Sequence, residues 1–173
     1  RFRSGRVIAA PDWFLAALPA LPLDGELWMG RGQFDRVSGA VRKTVPDDLE
    51  WRAVKYLVFD AWGRSEPFAQ RVTGLAQAVQ AAQQPWLLAV EQTVVEDAAV
   101  LGLRLQEVVS QGGEGLVLHR ADAPWQAGRT EALFKLKPQA DEEARVVGYQ
   151  AGRETPSWWE SASSSRRMGS VRA

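Results

Sequence analysis

The chain has 173 residues, 46% of them hydrophobic, enough for one domain with a real core and at most a fragment of a second. Twenty-one Lys and Arg against twenty-one Asp and Glu leave a formal net charge of zero, so any affinity for phosphate has to come from local patches rather than a global field. The absence of cysteine and the single histidine exclude disulfides, thiolate metal sites, cysteine nucleophiles and multi-histidine metal centres, and no apolar run is long enough to cross a membrane as a helix.

Residues 1–9 alternate loosely around Arg3-Ser4-Gly5-Arg6, a strand-and-turn pattern. Pro11 opens a short helix through Trp13, Phe14 and Leu15, since a missing N–H costs nothing in the first turn, and Pro19 closes it. Leu21 to Met29 reads as a buried strand broken by Asp24-Gly25-Glu26, and Phe34 to Lys43 as a helix. Val54 to Ala61, rich in β-branched and aromatic residues, is the clearest strand. Ser65-Glu66-Pro67 then signals a helix whose Phe68, Val72, Leu75 and Val79 form one apolar face.

Pro85 to Val90 returns to strand. Glu96 to Ser110 predicts a second amphipathic helix, with Val100, Leu103 and Val108 inward and Gly112 beyond its end. Two further strands follow, in Gly113–Leu118 and Phe134–Lys137, joined by a loop holding Pro124, Trp125 and Gly128. His119, at the end of the first, reads as structural. Arg145–Tyr149 begins another strand, and beyond Gly152 the Ser- and Arg-rich tail has no period, so disorder is the default there. Strands and helices mix without strict alternation, which predicts an α+β fold of mainly antiparallel sheets flanked by helices. No glycine-rich phosphate loop of the Walker or Rossmann kind is present.

Four segments carry the chemistry. Side chains alternate along a strand, so Lys135 and Lys137 share one face while Phe134 and Leu136 share the other, and Pro138 ends the ladder. Two ammonium groups with the Glu114 carboxylate nearby suit a polyphosphate and its cation. An ordinary solvent-facing strand shows the same alternation, which does not by itself separate the two. Upstream, Leu23-Asp24-Gly25-Glu26-Leu27 adds carboxylates at a Gly-broken strand, and Val58-Phe59-Asp60 puts an aromatic at a strand tip. Each segment alone is weak; the order and separations of all four are specific.

Together they resemble the nucleotidyltransferase motifs of ATP-dependent DNA ligases, over about residues 1–149. Leu-Asp-Gly-Glu-Leu-Trp followed by Gly-Arg-Gly-Gln-Phe is similar to the small bacterial members. The resemblance implies an adenylation domain, ATP-grasp-like in fold, using ATP and Mg²⁺ on nicked double-stranded DNA with a 5′-phosphate, as a monomer without a membrane anchor, in the bacterial cytoplasm or periplasm. It implies that Phe59 stacks on adenine, that Glu26 meets the ribose or the metal, that Glu114 binds Mg²⁺, and that Lys135 and Lys137 contact the α-phosphate. Arg3, in the Arg-Ser-Gly turn, would also touch phosphate, with Arg31 and Arg129 weaker candidates. A basic rim of Arg1, Arg3, Arg6, Arg36, Arg42 and Lys43 would give salt-sensitive DNA contacts.

The family's nucleophile lies in a Lys-x-Asp-Gly motif, and none of Lys43, Lys55, Lys135 and Lys137 precedes Asp-Gly. The expected organisation is therefore incomplete at both ends. Residues 1–144 would be an adenylation domain lacking its lysine segment, 145–152 the start of an oligonucleotide-binding barrel, and 153–173 a disordered or frameshifted tail. RNA ligases and capping guanylyltransferases share the superfamily motifs, and a non-catalytic ATP- or DNA-binding module is the reading from outside the enzymes.

Overall fold

Ten elements follow one another among the residues that the computed structural model describes, 1–2 and 4–138. They are α1 (Asp12–Ala16), β1 (Asp24–Trp28), α2 (Phe34–Arg42), α3 (Asp48–Arg52), β2 (Lys55–Asp60), α4 (Phe68–Ala82), β3 (Leu87–Ala89), α5 (Ala98–Ser110), β4 (Leu116–His119) and β5 (Leu133–Leu136). Arg3 lies outside the described residues. So do the expected domain boundary at 144, the strand at 145–152 and the tail at 153–173.

Local chemistry accounts for most helix ends. Pro11 and Pro67 stand at the N-caps of α1 and α4, Asp97 caps α5 by accepting from the Ala99 N–H at 2.6 Å, and α4 stops at Gln83 in the left-handed region. The short helix α3 was not expected. It is capped by Asp47, which accepts from the Glu50 N–H at 3.1 Å, the Asp-x-x-Glu start signal that the run already held. Residues before Pro11 form no strand among the described residues. Phe2 and Arg6 instead close a turn through a 2.8 Å bond from the Phe2 N–H to the Arg6 carbonyl.

The first sheet has order β1-β2-β3: β1 pairs antiparallel with β2, and β2 parallel with β3. Helix α4 makes the crossover that a parallel pair requires and packs on both of its strands. The second sheet is the antiparallel pair β4-β5. The α+β expectation holds, with β2–β3 as its one parallel pairing among the described residues. Two motif glycines are dictated by close backbone approach. A Cβ on Gly25, where the β1 register shifts, would collide with the Leu57 carbonyl; one on Gly115, at φ +148°, would collide with the Leu136 carbonyl.

The core lies between α4, the first sheet and the N-terminal helices: Phe14, Val41, Trp51, Val54, Val58, Leu75, Val79, Trp86 and Leu87. Phe14 stacks on Trp86 at 4.0 Å and meets Trp51 edge-on at 4.9 Å. Helix α5 departs from its expected burial. Val100 and Leu103 are 47% and 66% exposed, and only Val108 of the predicted inward set is partly covered. Its apolar residues spread around the helix, so periodicity could not select the covered side.

Trp51 is 1% exposed. Trp51→Ala should cost about 3–5 kcal/mol, read as a lowered urea midpoint, because removing the indole leaves a cavity that the remaining aromatic rings cannot close. A loss below about 1 kcal/mol would mean that the cluster is not the core.

Candidate functional site

A cavity of about 900 Å³ opens between the carboxyl end of β2 and one face of the β4-β5 sheet. Phe59 and Asp60 enter it from β2 and Asp24 from β1; Val117, His119, Leu133 and Lys135 come from the second sheet, with Trp125 and Arg129 on the connecting loop. The register explains the second wall: Val117 opposes Lys135 and His119 opposes Leu133, two cross-strand pairs on the same face. Gly115 lets β4 run close enough to β5 for that wall to form.

Phe59 is 38% exposed, its ring at the cavity rather than in the core. Asp60, the next residue, also borders the cavity but is buried. Its carboxylate accepts from the Ala61 N–H at 2.7 Å and from Arg71 through both oxygens, at 2.8 Å from Nε and 2.9 Å from Nη2. Arg71 sits on the buried stripe of α4 with Phe68, Leu75 and Val79. Phe68 stacks on His119 at 3.8 Å, and the His119 Nδ1 lies 2.9 Å from the Arg120 carbonyl. A carbonyl only accepts, so Nδ1 carries the proton in that bond.

The charged candidates separate. Lys135 lines the cavity, whereas Lys137 donates to Glu114 at 2.9 Å, and neither Glu114 nor Lys137 contributes to the cavity wall. The Lys137 ammonium, first by its hydrogen bond and then by its charge, holds the Glu114 carboxyl below its usual range, with Lys135 adding a smaller effect. Glu26 is exposed on β1 and off the cavity wall; Asp24, two residues earlier, is on it. Partial burial, and then the nearby Asp60 charge, push the Asp24 carboxyl up. Burial also pushes the Tyr56 hydroxyl up to about 12 while it donates to the Leu23 carbonyl at 3.2 Å. Arg129 lines the cavity, and Arg31 lies against Gly112 and Gly113 beside Glu114. Of the expected basic rim, Arg1, Arg6, Arg36 and Arg42 are exposed and Lys43 pairs with Glu50 at 2.7 Å.

Asp24, Asp60, Phe68 and Trp125 stand in the sequence as parts of a motif, a helix face or a loop with no site role, Arg71 carries no sequence expectation at all, and His119, expected to be structural, reaches the cavity. Arg71 stands three residues after Phe68 and four before Leu75, so its helical phase placed it on the apolar stripe. Among the described residues no group of three or more acidic or histidine side chains could hold a metal unaided.

The family model of the ATP dependent DNA ligase domain matches residues 10–137, and the chain belongs to that family. A DNA ligase of Haemophilus influenzae is 27% identical over 151 residues, covering 87% of this chain and 56% of that protein. Among solved structures, one from a structure-function study of Lig E DNA ligases superposes with a TM-score of 0.77 at 34% identity, over 89% of this chain and 60% of that one. Chlorella virus DNA ligase-adenylate superposes with a TM-score of 0.65 at 18% identity, over 78% of this chain and 54% of that one, a likeness of fold. The chain thus spans somewhat over half the length of these relatives.

In carboxyl NMR titrations Glu114 should titrate below the ordinary glutamate range, Lys137→Met should return it most of the way, and Lys135→Met less. A carboxylate with a depressed folded pKa adds stability above its unfolded pKa and loses it as pH falls through the depressed value. The native chain should therefore show a small acid-side loss that Glu114→Gln lacks; equal effects of the two lysine variants would contradict the geometry.

Proposed function

We propose that this chain is the nucleotide-binding portion of an ATP-dependent DNA ligase acting on nicked double-stranded DNA with a 5′-phosphate, in bacterial DNA repair. One observation carries the reading: a single cavity is faced by Phe59 from one sheet and Lys135 from the other. Base stacking on an aromatic ring and neutralisation of phosphate by an ammonium are the two contacts that a nucleoside triphosphate asks for. Arg129 on the same wall adds a guanidinium suited to phosphate oxygens.

Mg²⁺ fits the donor set as a companion of the nucleotide rather than as a resident ion. It keeps several waters and takes one or two carboxylates plus substrate phosphates. Asp24, whose charged form is disfavoured by burial and by Asp60, is a carboxylate that a cation would relieve. Asp24 and Glu114 are the side chains that would hold it, and it would offset charge on the phosphates when bound. Were Glu114 to turn to a cation, Lys137, which now donates to it at 2.9 Å, would be free to join Lys135 at the phosphates.

The whole ligation reaction needs a lysine nucleophile. The Lys55 ammonium lies 6.0 Å from the Trp28 ring and Lys43 is paired to Glu50, so neither is presented to the cavity. We expect the chain to bind ATP with Mg²⁺ but to acquire no lysine-linked adenylate when incubated with α-labelled ATP. In calorimetry Phe59→Ala should weaken ATP binding by about 1–3 kcal/mol, the usual worth of one base–aromatic stack. Undetectable ATP binding by the folded native chain, or full affinity in Phe59→Ala, would overturn the reading. A stable lysine-linked label would overturn only the expectation that this chain binds without reacting.

A further inference from the structure

Arg71 is the least expected residue in the interior. Its side chain is 0% exposed, on a helix stripe where an aliphatic residue would satisfy the packing. A buried ion pair is seldom a net gain in stability over apolar side chains of the same shape, so stability alone does not explain it. What the guanidinium touches does. Nε and Nη2 bind both oxygens of Asp60, the neighbour of Phe59, at 2.8 and 2.9 Å. Nη1 donates to the Glu66 carbonyl at 2.6 Å and to the Ala123 carbonyl at 3.1 Å. Ala123 is the buried residue immediately before Pro124 and Trp125, which also line the cavity.

The same junction is reinforced by the backbone. The Phe68 N–H donates to the Ala123 carbonyl at 2.9 Å and the Ala69 N–H to the Ala121 carbonyl at 3.0 Å. Trp62, just past β2, meets Trp125 at 6.2 Å. One side chain therefore binds the tip of the strand that presents Phe59 and the root of the loop that presents Trp125. A two-stranded sheet such as β4-β5 has little stability of its own, so its distance from β2 has to be set by contacts of this kind.

We infer that Arg71 is a positioning residue for the nucleotide pocket: by holding Asp60 and the Ala123 carbonyl at once, it fixes the gap between Phe59 and the Pro124–Trp125 loop into which the base inserts. This rests on the adenine-nucleotide reading of the cavity. Arg71 touches no ligand itself. A lysine in its place keeps the charge but has no planar fork to span the carboxylate and a carbonyl together.

The test compares affinity with stability in this chain, using calorimetric titration with Mg²⁺ and ATP alongside urea unfolding. Arg71→Lys should weaken ATP binding about tenfold or more, as small misplacements of positioning groups do. Val79→Ala, on the same stripe but off the cavity wall, should lower stability while leaving affinity within about twofold, because distant sites act independently. The double variant Asp60→Leu with Arg71→Met removes the pair without changing net charge. It should fold at least as stably as the native chain and still lose about tenfold in ATP affinity, since apolar replacements of buried pairs are tolerated.

Native-like affinity in Arg71→Lys or in the double variant overturns the proposal. So does an equal loss in Val79→Ala, or a double variant that fails to fold, since either reduces Arg71 to a structural role. A native chain that binds no ATP brings down the nucleotide reading and this inference with it, an outcome seen before any variant is compared.

Discussion

A guanidinium taken out of water has to have its donors met, and in this protein meeting them fixes the geometry around it. Arg71 makes four hydrogen bonds within 3.1 Å, two to the Asp60 carboxylate and two to backbone carbonyls from separate parts of the chain. None of the three partners can move alone without leaving a charged donor or a buried carboxylate unpaired, a cost of several kcal/mol in a low-dielectric interior. The end of β2, the entry of α4 and the loop between β4 and β5 are thereby held as one body. The cavity is lined from all three regions of the chain, with the stacked Phe68 and His119 among its lining residues.

Close approach of backbones is the second constraint, and it explains the glycines of the motifs. Gly25 lies where β1 shifts register against β2, which brings Asp24 opposite Asp60 at the cavity while Glu26 pairs opposite Leu57. Gly115 lies where β4 meets the end of β5. In both places the missing Cβ is a steric requirement of strand pairing, and the flanking carboxylates gain their positions from it. The Asp-Gly-Glu and Glu-Gly motifs are thus pieces of sheet geometry before they are pieces of a site.

Much of this was legible in the chain. The strand around Val54–Ala61, the helix after Pro67 and the alternation at Lys135 came from residue type and period, and they put Phe59 and Lys135 on the walls of one cavity. What stayed hidden depends on contacts that no local pattern carries. A charged residue such as Arg71 belongs outside by composition; only its phase with Phe68 and Leu75 contradicted that, and its partner Asp60 is eleven residues away. Helix α5 failed in the opposite sense, because an apolar helix does not declare which side is covered. The turn of Glu114 toward Lys137 lay beyond sequence as well, since alternation fixes a face but not which neighbour answers a charge.

The two ion pairs of the site differ in kind, and the difference assigns them different work. Asp60–Arg71 is buried and bidentate, and the price of opening it is an unpaired charge away from water. Glu114–Lys137 is exposed, with side chains 87% and 59% accessible, so either partner re-solvates at little cost. An exposed pair of opposite charges beside a cavity that presents Lys135 and Arg129 is an exchangeable contact. Under the proposed nucleotide reading, a phosphate would compete for the ammonium and a cation for the carboxylate, and each exchange would ease the other. On that reading the buried pair would hold the walls while the exposed pair exchanged partners, so a charged ligand would be admitted without reshaping the frame around it.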